Sequence, residues 1–174
     1  MIIDWTRNVF AYGSLMSTAD VDIGRAERQQ LAAAARLVGP ASIGGLLFDV
    51  GPYPAAVLTS TGRDRIWGEL WRLPARRQWL FDVLDRYEGC APGSPEPYAY
   101  VRQRVAVRAG DGSSTTAWIY LWNRPLGSMS RIESGRWRPA RRSRDRDRDA
   151  DDETRLVGTA RFATNGFALP SSYT

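Results

Sequence analysis

The 174-residue sequence contains no histidine, no lysine and a single cysteine, Cys90. Without histidine, the chain cannot hold a Ser-His-Asp triad, a Cys-His pair or an imidazole metal site. One cysteine cannot form an intrachain disulfide, which fits a reducing compartment and predicts a cytoplasmic location. Acid–base chemistry near neutral pH would therefore fall to a carboxylate, a tyrosine or the thiol.

Long apolar runs are also missing from the sequence. No stretch approaches the roughly 20 residues that a membrane-spanning helix needs, so we expect no membrane partner. Residues 1–5 show no basic start followed by an apolar stretch, and no signal peptide is predicted. The chain is 43% hydrophobic and 11% aromatic, which is enough to build a sizeable core.

The spacing of apolar residues predicts a chain of mixed strands and helices. We expect strands at residues 8–12, 55–59, 66–73, 98–108 and 115–122, with one or two more within 37–50. Residues 27–36 have helix-forming composition, and residues 75–88 carry the strongest helical repeat, made by Trp79, Leu80, Val83, Leu84 and Tyr87. The strand at 115–122 is apolar on both faces, which predicts a central position. Four tryptophans are expected in the core: Trp67, Trp71, Trp118 and Trp122.

The composition changes after Trp137, where arginine and aspartate begin to alternate. We predict a domain over residues 1–137 and a flexible, low-complexity tail over residues 138–174. The net charge is +5, and the tail holds eight arginines against six acidic residues. Such a tail could bind RNA or an acidic partner, but its nearly balanced charge favours a solvated tail. Nucleic acid is therefore not an expected partner.

The segment Tyr12-Gly13-Ser14-Leu15 follows directly after the first predicted strand. A glycine-containing turn that leaves a strand can direct successive backbone N–H groups into one concavity, which suits a carboxylate or an oxyanion. The Ser14 hydroxyl could add a further hydrogen bond. The alternative is an ordinary turn at a strand end, and spacing alone favours that alternative.

Glu88 and Gly89 close the strongest predicted helix. The negative end of the helix dipole lies there, so the pKa of a carboxyl at this position should rise, and apolar neighbours such as Tyr87 would raise it further. A carboxyl whose pKa is raised in this way suits general acid–base catalysis near neutral pH. The alternative is a solvated glutamate at a helix end, which is again favoured by spacing alone.

Other candidate groups have simpler structural explanations. Cys90 follows the glutamate directly, but no histidine is available to activate its thiolate, so a structural thiol is expected. Asp20 and Asp22 supply too few ligands for a calcium loop, and no metal site is predicted. Tyr98, Tyr100 and Tyr120 could line a pocket, although packing in a core or barrel is the favoured explanation for each.

Seven short segments occur in an order that is shared with a known family. They are VFAYGSL (9–15), GPYPAAV (51–57), WGELW (67–71), LDRYEG (84–89), YVR (100–102), AWIY (117–120) and IESGRW (132–137). In these segments the chain resembles the γ-glutamylcyclotransferase-like (AIG2-like) superfamily, which includes γ-glutamylamine cyclotransferases and bacterial cyclotransferase-like proteins. The resemblance covers residues 8–137. Two departures are Arg136, where the superfamily often has an acidic residue, and the arginine-rich tail.

This resemblance implies an α+β domain built on a small mixed β-barrel with packed helices. It also implies an enzyme without cofactor or metal, in which the α-amine of a γ-glutamyl group attacks its own γ-carbonyl and releases 5-oxoproline and an amine or amino acid. By similarity, Glu88 would be the general acid–base residue. The small-molecule γ-glutamyl substrate would contact Tyr12, Gly13, Ser14, Leu15 and Tyr120.

Two alternatives to an enzyme stay open at this point. The same fold could hold a carboxylate ligand without turnover, or the protein could act through its arginine-rich tail on an interaction partner. The leaving amine cannot be read from the sequence, because the loops expected to contact it vary in length.

Overall fold

The computed structural model describes residues 7–138, which contain six β-strands and two α-helices. In chain order they are β1 (Asn8–Ala11), α1 (Arg25–Ala34), β2 (Arg36–Asp49), β3 (Pro54–Leu58), β4 (Arg65–Arg72), α2 (Gln78–Tyr87), β5 (Tyr100–Ala109) and β6 (Ser114–Trp122). Each predicted strand and helix is present, and the boundaries differ from the predicted ones by at most three residues. The segment 37–50, predicted as one or two strands, belongs to the single strand β2.

Five of the strands close into a barrel in the order β2-β4-β1-β6-β5, and β5 pairs back onto β2 at Ala41 and Ser42. Neighbouring strands are antiparallel except β1 and β6, which are parallel with Val9 opposite Trp118. The strand β3 lies outside the closed ring and pairs with Gly45–Asp49 of β2. The barrel and its two helices confirm the expected α+β class with a small mixed β-barrel. The predicted central position of β6, between β1 and β5, is also confirmed.

The strand β2 pairs with three other strands, and its glycines make this possible. A β-bulge shifts its register against β4 between Leu37 and Gly39. Further along, a Cβ atom on Gly45 would lie 2.7 Å from the carbonyl oxygen of Val57, so only glycine lets β2 and β3 approach so closely there. Gly39 therefore lies at a bulge and Gly45 allows a close contact, and neither glycine interrupts the strand.

The strand β1 is buried on both faces, which explains its continuous apolar sequence. Phe10 belongs to the cluster inside the barrel, together with Ile43 and Ile119. Val9 and Ala11 belong to a second cluster, which lies between the barrel and the helices. A strand in this position ends deep in the molecule, so the turn that follows β1 is also buried.

The helix α2 packs against the barrel through Leu80, Phe81 and Leu84, which are all buried. The sequence pattern placed Trp79 on this face, and that prediction is wrong, because Trp79 is 47% exposed. Phe81 takes its place by packing edge-on against Trp118, with 6.0 Å between the ring centroids. The helix begins at Gln78 and ends at Tyr87.

Trp67 is the second tryptophan whose expected burial is wrong, with 37% of the residue exposed. The guanidinium of Arg136 lies 4.3 Å from the centroid of its ring. Arginine at this position, where the superfamily often has an acidic residue, thus covers an exposed aromatic face. Of the other three tryptophans, Trp71 is buried, and the remaining two are half-buried.

Apart from Arg138, the predicted arginine-rich tail lies outside the described residues. The domain boundary after Trp137 and the flexibility of residues 138–174 therefore stay predictions. Neither α1 nor α2 has the length and apolar character that a membrane span requires, a finding that concerns residues 7–138 only.

Candidate active site

A cavity of about 210 Å³ opens between the turn that follows β1 and the C-terminal end of α2. Its walls come from β1, α2, β5, β6 and the start of β3. All six residues that the resemblance assigns to the site line it: Tyr12, Gly13, Ser14, Leu15, Glu88 and Tyr120. The structure therefore brings together two segments that are more than seventy residues apart in the chain.

The turn at residues 13–16 closes with a hydrogen bond of 3.0 Å from the Met16 N–H to the Gly13 carbonyl. The N–H groups of Gly13, Ser14 and Leu15 donate to no acceptor within residues 7–138, although all three residues are buried. Because an unpaired buried N–H is costly, buried donors of this kind suit the oxygen atoms of an anionic ligand.

Side chains hold this turn from two directions. The Glu69 carboxylate accepts hydrogen bonds from the backbone N–H and hydroxyl of Ser17, at 2.6 and 2.7 Å. The Arg28 guanidinium, on α1, donates to the carbonyl of Ser14 at 2.6 Å and to that of Val21 at 2.9 Å. Arg28 bonds to carbonyl oxygens, and Glu69 bonds to Ser17, which follows the turn. Neither side chain therefore occupies the N–H groups of residues 13–15.

Gly13 faces the residue that begins β3. A Cβ atom at Gly13 would lie 2.9 Å from both Cγ and Cδ of Pro54. The proline ring is stiff, so a larger residue at position 13 would have to displace the turn. Because Gly13 has no side chain, the turn can pack closely against Pro54 in this wall of the cavity.

Three of the tyrosine hydroxyls around the cavity bond to other cavity-lining residues. Tyr12 donates to the carbonyl of Tyr120 at 2.6 Å, and Tyr100 donates to that of Pro54 at 2.8 Å. The hydroxyl of Tyr87 shares a 2.6 Å hydrogen bond with Ser14 Oγ. Burial raises the pKa of each of these tyrosines, that of Tyr87 to about 12. They therefore shape the cavity and are poor proton acceptors near neutral pH.

Glu88 is the C-cap residue of α2, and its N–H donates to the Leu84 carbonyl at 2.9 Å. Among residues 7–138, no donor or cation bonds to its carboxyl group. Burial and, second, the neighbouring Asp85 carboxylate raise the pKa of Glu88 from its usual 4.5 to about 8. Glu88 is the one carboxylic acid among the cavity-lining residues. Gly89, with φ +67°, ends the helix directly after it.

Cys90 is not among the residues that line the cavity. Burial and then the nearby carboxylates of Asp85 and Glu88 raise the pKa of its thiol to about 11, so the thiolate form is disfavoured at neutral pH. Residues 7–138 contain no cluster of three or more histidine, cysteine, aspartate or glutamate side chains that could hold a metal ion.

Sequence reasoning missed several residues of the site. Asp85 and Pro54 were not singled out, although Asp85 precedes Glu88 by one helical turn and therefore shares its helix face. That spacing could have identified it. Tyr100 and Pro54 reach the site through the closure of the barrel, for which the sequence has no local signal.

Residues 9–139 match the model of a protein family described as gamma-glutamyl cyclotransferase, AIG2-like. The chain is similar to the gamma-glutamylcyclotransferase family protein ytfP from Citrobacter rodentium, with 28% identity over 130 residues, which are 74% of this chain and 93% of the relative. YtfP from Escherichia coli K12 is 31% identical over 104 residues, 59% of this chain and 77% of the relative. Among solved structures, an AIG2-like protein from Mus musculus aligns with a TM-score of 0.56 at 17% identity, over 78% of this chain and 97% of that one, a likeness of fold.

Proposed function

The chain belongs to the gamma-glutamyl cyclotransferase, AIG2-like family, and from this membership we propose that it is a γ-glutamyl cyclotransferase. It would release 5-oxoproline and a free amine or amino acid from a γ-glutamyl compound. The observation that supports the proposal is that Glu88 and residues 13–15, whose N–H groups have no acceptor within residues 7–138, line one cavity.

The proposed reaction needs one bond formed, one bond broken and two protons moved away from the attacking nitrogen. The α-amine nitrogen attacks the γ-carbonyl carbon and closes the five-membered ring of 5-oxoproline. The bond between that carbon and the leaving nitrogen then breaks. The Glu88 carboxylate accepts a proton from the α-ammonium group, which frees the amine to attack, and the resulting carboxylic acid donates that proton to the leaving nitrogen. The carboxylate then accepts the second proton from the ring nitrogen and passes it to the departing amine, so Glu88 ends in its starting form.

The raised pKa of Glu88 supports this role, because the attacking amine must be neutral. A glutamate of ordinary pKa beside an α-ammonium group of pKa about 8 would leave the amine neutral in only about one complex in 10³. With the Glu88 pKa at about 8, the arrangement with a neutral amine and a protonated carboxyl becomes similar in energy to the ion pair. The gain is about 4–5 kcal/mol.

Positioning supplies the rest of the proposed mechanism. No arginine lines the cavity, so the carboxylate of the γ-glutamyl group would bind the N–H groups of Gly13, Ser14 and Leu15. This contact would hold the amine near its own carbonyl carbon. An intramolecular attack from a fixed geometry can lower a barrier by several kcal/mol.

The proposal is tested by measuring 5-oxoproline after incubation with a γ-glutamyl peptide, a γ-glutamyl amino acid and a γ-glutamyl amine. We expect at least one compound to yield 5-oxoproline and its free amine in equal amounts. If none yields product while a γ-glutamyl compound still raises the melting temperature, the protein is a binding module and the enzymatic proposal is wrong.

Replacement of Gly13 by alanine is expected to lower kcat/KM at least about 100-fold, because the new methyl group would push the turn away from Pro54 and misplace the N–H donors. The matched control is Gly44→Ala in β2, where a Cβ atom would meet its nearest neighbour, the Thr59 carbonyl oxygen, at an ordinary 3.6 Å. Steady-state kinetics on both variants check this. Equal kinetics in the two variants would show that the turn does not position substrate.

A further inference from the structure

Asp85 lies one helical turn before Glu88 on α2, and its carboxylate is held by other side chains. The Tyr120 hydroxyl donates to Oδ1 of Asp85 at 2.6 Å, and Nη1 of Arg102 lies 3.2 Å from the same oxygen. Cys90 Sγ lies 3.9 Å away. The Asp85 side chain is only 15% exposed, so its charge is weakly screened by water.

Both main partners of Asp85 belong to the barrel wall. Arg102 and Tyr120 stand directly opposite each other on β5 and β6. The Arg102 guanidinium also lies 4.1 Å from the centroid of the Phe81 ring and 5.3 Å from that of Trp118. Asp85 therefore connects the last turn of α2 to the paired strands β5 and β6.

We propose that Asp85 is a positioning residue of this site, an inference that rests on the proposed cyclotransferase function. Through Tyr120 and Arg102, it determines where the end of α2 places the Glu88 carboxyl relative to the turn at residues 13–16. Its negative charge, one turn from Glu88, also favours the protonated carboxylic acid. Asp85 itself touches no reacting atom.

Glu88 is surrounded by ionisable groups from every element packed against it. They are Tyr12 after β1, Tyr100 on β5, Tyr120 on β6, Tyr87 and Asp85 on α2, and Cys90 beyond it. Arg102 on β5 pairs with Asp85. The charged groups of α1, Glu27 and Arg28, act on Tyr87. The tyrosines and the thiol are neutral near pH 7, because their pKa values are raised. Asp85 is therefore the nearby negative charge that opposes ionisation of Glu88.

The test replaces Asp85 with asparagine, which keeps an oxygen acceptor for the Tyr120 hydroxyl and removes the charge. In the wild type, kcat/KM should fall below about pH 8, where the Glu88 carboxylate takes up a proton. In Asp85→Asn this acid limb should move to lower pH by on the order of one unit. The matched control is Asp82→Asn on the exposed side of the same helix, whose acid limb should stay in place.

Tyr120→Phe separates the positioning role of Asp85 from the effect of its charge. This variant loses a tether to α2 but keeps the Asp85 charge, so kcat should fall roughly tenfold while the acid limb does not move to lower pH. An acid limb that stays in place in Asp85→Asn, or that moves equally in Asp82→Asn, would overturn the proposal.

A titration of the Glu88 carboxyl carbon by NMR, in all four proteins, needs no turnover. It therefore distinguishes failure of this inference from failure of the proposed function. Suppose that the wild type makes no 5-oxoproline but the Glu88 titration moves to lower pH in Asp85→Asn alone. The effect of the Asp85 charge on Glu88 is then confirmed, although the proposed reaction is wrong. If the titration of Glu88 is the same in the wild type and in Asp85→Asn, the inference is wrong, whatever the activity.

Discussion

Replacement of Glu88 by glutamine is expected to lower kcat for 5-oxoproline release by about 10³-fold, within the 10²- to 10⁴-fold range of general acid–base catalysis. Glutamine has nearly the same shape but can neither accept the proton of the attacking amine nor donate it to the leaving nitrogen. Substrate binding should change little, because the turn at residues 13–16 stays intact. Steady-state kinetics with the substrate found in the panel, together with ligand-induced thermal shifts, measure both effects.

The control for this variant is Glu96→Gln, which makes the same chemical change at an exposed residue away from the cavity. Its kinetics should match the wild type. A Glu88→Gln protein that keeps more than a tenth of the wild-type kcat would show that another group moves the proton. In that case the assignment of Glu88 as general acid–base residue would have to be abandoned.

Glu88→Gln is expected to be more stable than the wild type above pH 8, by up to about 5 kcal/mol. The pKa of Glu88 is raised from 4.5 to about 8 in the folded protein. Between these two values the folded chain keeps a proton that the unfolded chain releases. Stability from this group is therefore complete below about pH 4.5 and falls by about 1.4 kcal/mol per pH unit until about pH 8.

Urea unfolding of both proteins at pH 4, 7 and 9 measures this difference. At pH 4 the two should unfold at similar urea concentrations, because a protonated glutamate resembles glutamine. At pH 9 the glutamine variant should need more urea. A stability difference that does not change with pH would show that the Glu88 carboxyl is not kept from ionising by its surroundings. A site residue that weakens the fold at working pH is a known trade-off between stability and activity.

The parts of this structure that could be predicted from sequence depend on local patterns. The apolar run of β1 predicted a buried strand, and the turn at residues 12–15 and the helix ending at Glu88 followed from glycine positions and helical spacing. That these two segments would meet rested on the resemblance to a family, since nothing in either segment determines where the other lies. Their roles stay proposals.

The parts that could not be predicted depend on contacts between distant segments. Helical spacing predicted Trp79 on the buried face, but Phe81 lies there instead, packed against Trp118 on a strand more than thirty residues later. The ion pair between Asp85 and Arg102 also depends on a distant segment, because it forms only when α2 packs against β5. The glycines of β2 were ambiguous as well, since a glycine can end a strand or let it bend.

The single parallel pair of the barrel, β1 with β6, gives the domain two unlike ends. Both strands run in the same direction, so Tyr12, just beyond β1, and Tyr120, near the close of β6, emerge on one rim beside Glu88. The β5–β6 hairpin turn at residues 110–113 lies at the opposite rim, where Asn8 bonds to Thr115. An insertion or label in that turn would be separated from the cavity by the length of the barrel, so it should leave the residues around the cavity in place.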